Sequence, residues 1–140
     1  GANHFVALES REPVGAVWDL LRDDMASVVI ECTGKQETLD IATNLAGTRG
    51  RLVIAGYHAD GQRTVNMQLW NWKGLDVINA HERNPRVYLR GIEQAMALWQ
   101  AGEIDPGALL THTVPLAEIN RGFELAAGRA QGVVKVVITP

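Results

Sequence analysis

Apolar positions along this chain follow two alternating rhythms. Short, near-continuous runs at Ser27–Cys32, Arg51–Gly56 and Leu75–Asn79 have the length and the β-branched content of strands. Such runs suit strands covered on both faces of a parallel sheet. Between them, apolar residues recur at helical spacing. Val14, Val17, Trp18 and Leu21 follow Pro13; Leu39, Ala42 and Leu45 mark Gln36–Ala46. Val87, Ile92, Ala95, Met96 and Trp99 mark the longest helix, Pro85–Ala101, and Ile119, Phe123 and Ala126 mark Leu116–Ala127. Pro13 suits a first helical turn and Gly102 a helix stop. Thr48-Arg49-Gly50 reads as a turn, Tyr57–Val65 as a polar loop, and Met67–Trp72 as one or two helical turns. His4–Leu8 and Gly132–Ile138 read as a first and a last strand. Parallel strands need a crossover, so this alternation predicts an α/β fold with a largely parallel sheet. The pattern changes once, near Gly107–Pro115.

Composition narrows the function. The chain has 140 residues, a length suited to one domain, and 46% are hydrophobic, enough for a core. The net charge of -3 offers no basic face for nucleic acid or an anionic membrane. No apolar run has the length of a membrane span, and Gly1–His4 lacks the pattern of a signal peptide. A single cysteine, Cys32, excludes an internal disulfide and fits a reducing cytoplasm. At the end of an apolar strand it reads as a small buried hydrophobe rather than a nucleophile or ligand. His4, His58, His81 and His112 show neither i,i+4 nor Cys-pair spacing, so no metal site is expected. Trp70 and Trp72 fit core packing first, then a pocket wall or subunit contact. His81 fits a structural role first, and Glu82-Arg83 a solvated charge pair.

Five phrases carry a resemblance when taken in order. They are Gly1-Ala2-Asn3-His4-Phe5-Val6, Val28-Val29-Ile30-Glu31-Cys32-Thr33-Gly34, Gly50-Arg51-Leu52-Val53-Ile54-Ala55-Gly56, Leu110–Leu116 followed by Ile119-Asn120-Arg121-Gly122-Phe123, and Val134-Lys135-Val136-Val137-Ile138. Together they resemble the medium-chain dehydrogenase/reductase family, the zinc-type alcohol, polyol and threonine dehydrogenases. The first three resemble the third, fourth and fifth strands of that family's cofactor domain; the last two resemble its return into the catalytic domain. The resemblance implies a partial Rossmann-like, doubly wound parallel sheet with a C-terminal strand-helix-strand extension. Residues 1–106 would be a dinucleotide-binding domain lacking its first two strands, and residues 107–140 the return segment. The family's G-x-G-x-x-G loop, its ribose-selecting residue and its Cys/His/Glu zinc ligands lie upstream of what is matched, so the chain reads as a fragment without turnover.

Ligands of doubly wound sheets sit outside the carboxyl ends of the strands. Cys32-Thr33-Gly34, Ala55-Gly56-Tyr57 and Asn79-Ala80 occupy such ends, and the resemblance implies that they line the nicotinamide half of NAD or NADP. Glycines after strands are also ordinary turn residues. Lys135 fits either a pyrophosphate contact or a solvated face. The implied parent uses zinc, not held by this chain, and a small alcohol or ketone substrate, and forms a homodimer or higher homo-oligomer. A zinc-free quinone or enoyl reductase of the same superfamily remains open, as does a non-catalytic module that dimerises through Leu75–Asn79. In the strand order 3-2-1-4-5-6 the third strand neighbours only the second. His4–Leu8 is therefore expected to move beside Val28–Cys32, to pair with another chain, or to be disordered.

Overall fold

Prolines and glycines set the boundaries that the sequence shows best. The computed structural model describes residues 2–7, 12–22, 25–128 and 132–140, which form two compact units, Gly1–Glu82 and Arg83–Pro140. The division falls before the longest helix, whereas the sequence pattern changes at residues 107–115.

In the first unit, α1 (Pro13–Leu21) starts on its proline. Strands β1 (Ala26–Glu31), β2 (Ala46–Ile54) and β3 (Asp76–Asn79) form a parallel sheet in sequential order. Helices α2 (Gln36–Leu45) and α3 (Met67–Lys73) lie in the two crossovers. Val29 pairs with Leu52 and Leu52 with Val77, so one face presents a continuous apolar row. Leu39 and Ala42 of α2 bury against Leu52, with Val29, Ile54, Val65, Trp70 and Val77 packed around them. Asn66 caps α3 by accepting from the Leu69 amide, and Gly74, at φ 59°, ends it. Lys73 Nζ then donates to the carbonyls of Thr43, Asn44 and Ala46 at 3.0, 2.9 and 2.7 Å. A cation there satisfies carbonyls that the end of α2 leaves without helical partners.

Several expectations change. The strands are not covered on both faces: Val28 and Ile30 are 53% and 59% exposed, because the helices packed on this sheet lie on the Val29 side. Cys32 shares the open side and is exposed, not a buried hydrophobe. Thr48-Arg49-Gly50 does not separate helix from strand. Pairing with β1 jumps from Ala46 to Arg51, and Arg49 sits at φ 61°, so the turn is an irregularity inside β2. Among the described residues, 4–7 form no strand and β1 pairs only with β2. With no ladder partner, Phe5 stays 89% exposed; Leu8 lies outside the described residues.

In the second unit, α4 (Pro85–Gln100) is capped by Asn84, and none of its residues is buried. Strands β4 (Leu110–Pro115) and β5 (Lys135–Thr139) are parallel and joined through α5 (Ile119–Ala127). Val114 of β4 is buried, close to Gly122 of α5. Gly122 lets α5 approach, since a Cβ there would stand 2.8 Å from Ile138 Cδ1. The mixed α/β class, the parallel sheets and the C-terminal strand-helix-strand all match expectation. No helix among the described residues is long and apolar enough to cross a membrane.

Candidate functional site

Three parallel strands deliver three chain turns to one edge of the first unit's sheet. The amides of Ala55 and Gly56 both donate to the Glu31 carbonyl at 2.8 Å, and the amide of Ala80 donates to the Ile54 carbonyl at 2.9 Å. The ends of β1, β2 and β3 are thereby tied in series. Cys32, Thr33, Ala55, Asn79 and Ala80 are exposed along this edge. Tyr57 is 75% exposed, and its ring lies against His81 with centroids 5.7 Å apart.

Two glycines permit this approach. Gly34 has φ 74°, and a Cβ on it would overlap the Tyr57 carbonyl. A Cβ on Gly56 would overlap the Gly34 amide nitrogen and stand 2.5 Å from Glu31 Oε2. The room left by Gly56 is therefore filled by Glu31 and Gly34 of the same chain.

Glu31 organises the edge. Its side chain is buried, with Oε1 accepting from the Thr33 amide (2.7 Å), Thr33 Oγ1 (2.7 Å), the Gly34 amide (2.8 Å) and Thr38 Oγ1 (2.9 Å). Burial alone raises the pKa of such a carboxyl. The hydrogen bonds from Thr33, Gly34 and Thr38 outweigh it and hold the group at about 2. Oε2 faces His58 Nε2 at 3.1 Å, and His58 Nδ1 accepts from Arg63 Nε at 2.9 Å. An arginine only donates, so the imidazole carries its hydrogen on Nε2 and gives it to Glu31. Arg63 Nη2 also donates to the Gly34 carbonyl at 2.7 Å and pairs with Asp60, which pairs with Lys35 at 2.6 Å. Lys35 and Arg63 keep the Asp60 carboxyl well below the ordinary range. Gln36 holds the same loop by exchanging two hydrogen bonds with the backbone of Thr64, at 2.8 and 2.9 Å.

Comparison with known proteins gives this edge a context. No family model matches the chain. A 2-dehydro-3-deoxy-L-galactonate 5-dehydrogenase of Pseudoalteromonas atlantica is 30% identical over 113 residues, 80% of this chain and 31% of the relative. The solved zinc-dependent alcohol dehydrogenase 2 from Streptococcus pneumonia superposes with a TM-score of 0.85 at 24% identity, over 99% of this chain and 39% of that one. Over nearly its whole length the chain is similar to the zinc-type alcohol, polyol and threonine dehydrogenases of the medium-chain dehydrogenase/reductase family. A second solved structure, an alcohol dehydrogenase from Escherichia coli CFT073 in complex with NADH, superposes with a TM-score of 0.82 at 20% identity, over all of this chain and 39% of that one. The chain spans about a third to two-fifths of the length of these proteins.

The family's zinc does not fit here, because among the described residues no three His, Cys, Asp or Glu side chains gather to hold a metal ion. The structure joins Cys32, Thr33, Gly34, Ala55, Gly56, Tyr57, Asn79 and Ala80 on this edge. Lys135 belongs to the second unit, exposed at the amino end of β5. Sequence reading missed Glu31, His58 and Arg63. A carboxylate closing an apolar strand just before Thr-Gly was the available signal for Glu31. No spacing rule links it to residues 27 and 32 positions away.

Proposed function

We propose that this chain is the nicotinamide-side part of an NAD(P)-dependent oxidoreductase acting on a small alcohol, polyol or ketone. The convergence of three exposed strand ends on one edge carries this reading, because parallel sheets of this kind bind ligands there. The NADH complex of the E. coli neighbour supports it. Nicotinamide, when bound, supplies hydride transfer. The chain's residues would orient it: Thr33 through its hydroxyl, Asn79 and Ala80 through main-chain groups beside the carboxamide, and Tyr57 as a wall. Cys32, Ala55 and the glycines Gly34 and Gly56 form the floor. Residues 1–106 correspond to the cofactor domain and 107–140 to the catalytic domain's return, in a parent that holds zinc elsewhere and works in the cytoplasm.

Titration of the isotopically labelled chain with nicotinamide mononucleotide tests this. Amide shifts are expected at Thr33, Gly34, Tyr57, Asn79 and Ala80. Shifts confined to other residues, or none, overturn the reading. The chain alone should form no reduced cofactor from alcohol and NAD or NADP, and steady turnover would refute that part.

A self-associating role has one observation behind it. Among the described residues β3 has a hydrogen-bonded strand on one side only, so its other edge is free to pair with a second copy in a homodimer or larger homo-oligomer.

A further inference from the structure

Glu31 does more than fill the space beneath the turn. One carboxylate oxygen binds the Thr33–Gly34 turn and the other binds His58, in the loop that follows β2. His58 passes the consequence to Arg63, and Arg63 returns to the Gly34 carbonyl. Each link has a fixed direction. The carboxylate only accepts, so His58 must donate from Nε2; Nδ1 then bears a lone pair, which is what the Arg63 guanidinium needs. Taking the strand ends as the cofactor cleft, we infer that Glu31 is a positioning residue. Its buried charge sets the tautomer of His58, and that tautomer holds Arg63 and the Gly34 turn against the loop that presents Tyr57.

Glu31→Gln separates this from simple packing, because it keeps shape and changes polarity. The glutamine oxygen must remain on the Thr33 and Gly34 amides, since its NH2 group would oppose two donors there. The NH2 group then meets His58 Nε2, which has to accept. The hydrogen moves to Nδ1 and confronts the Arg63 Nε–H, donor against donor. A carboxylate-to-amide change at residue 31 thus reaches residue 63 without touching it.

Nitrogen-15 NMR of the ligand-free chain reads the relay directly. In the unsubstituted chain His58 is expected as the Nε2–H tautomer. Finding it as Nδ1–H overturns the inference and requires no variant to fold. In Glu31→Gln the hydrogen should appear on Nδ1, with displaced signals for Arg63 Nε and the Gly34 amide. If the variant folds and His58 keeps its Nε2–H form, the inference fails. In a His58→Phe background Glu31→Gln should leave the Arg63 Nε signal unmoved; movement there overturns the relay. Glu31→Gln should also weaken nicotinamide mononucleotide binding roughly three- to tenfold, the effect of losing about one hydrogen bond's worth of order. A tautomer change with unaltered binding would uphold the relay and refute the strand-end reading of the cleft, so the two ideas fail separately.

Discussion

Gly56→Ala is the sharpest test of how the strand ends are joined. The added Cβ would overlap the Gly34 amide nitrogen and stand 2.5 Å from Glu31 Oε2 and 2.9 Å from Gly34 Cα. Two of these neighbours are backbone and the third is the buried carboxylate, so no flexible side chain can swing away. Carbon atoms sit comfortably at about 3.5–4.0 Å, so the β1 and β2 turns must part by about 1 Å. The amides of Ala55 and Gly56 donate to the Glu31 carbonyl at 2.8 Å, and a parting of that size takes both beyond hydrogen-bond range. Overpacking costs about 1–3 kcal/mol and each lost bond about 0.5–1.5 kcal/mol, which together suggest about 3 kcal/mol. In a unit of this size that lowers Tm by roughly 10–25 °C. Urea unfolding followed by tryptophan fluorescence measures the change. Gly91→Ala on α4 serves as the control: a Cβ there has nothing within 4 Å, so it should be neutral or stabilise by up to about 1 kcal/mol. If Gly56→Ala unfolds within about 0.5 kcal/mol of the parent chain, the backbone-to-backbone packing described for the site is wrong.

Other expectations follow from the same geometry. Glu31 is held at about 2 against an ordinary 4.5, so its contribution to stability is full above about pH 4.5 and is lost as pH falls towards 2. Urea midpoints across that window should fall less steeply in Glu31→Gln than in the parent; equal slopes would exclude Glu31 as a source of the acid sensitivity. Lys73→Met strands the carbonyls of Thr43, Asn44 and Ala46 and should cost about 1–2 kcal/mol in urea unfolding. A neutral result there would mean that water replaces the ammonium without loss. Val77→Pro removes a ladder donor from β3, so any dimer formed through that edge should give way to monomer in light scattering, with folding checked by circular dichroism. A dimer that survives rules the edge out.

What the sequence revealed depended on local chemistry. Pro13 and Pro85 begin helices where a proline costs no hydrogen bond, and both helices start on them. Apolar runs located all three strands of the first sheet, because a parallel ladder selects β-branched residues whatever its neighbours. Burial was harder to read. Val28, Ile30 and Cys32 look like interior residues in the sequence, yet they are exposed, because covering a face requires elements that periodicity does not count. The site divided in the same way. Strand-end glycines announced the turns at Gly34 and Gly56. The carboxylate that joins those turns did not stand out, since its partners at residues 33, 34, 38 and 58 meet only once β1 and β2 are paired. Lys135 was singled out by the family resemblance rather than by any local pattern, and it lies in the second unit.

The sequential strand order has a kinetic consequence. Val29 pairs with Leu52, Leu52 with Val77, and Leu110 with Lys135, so each ladder joins residues only about 25 positions apart. Closing such short loops costs little entropy, and chains rich in nearby contacts fold faster than chains that must wait for distant ones. Each strand of the first sheet can therefore dock on its predecessor as soon as it leaves the ribosome, and the edge where the turns of Thr33, Gly56 and Asn79 gather is completed last, when β3 arrives.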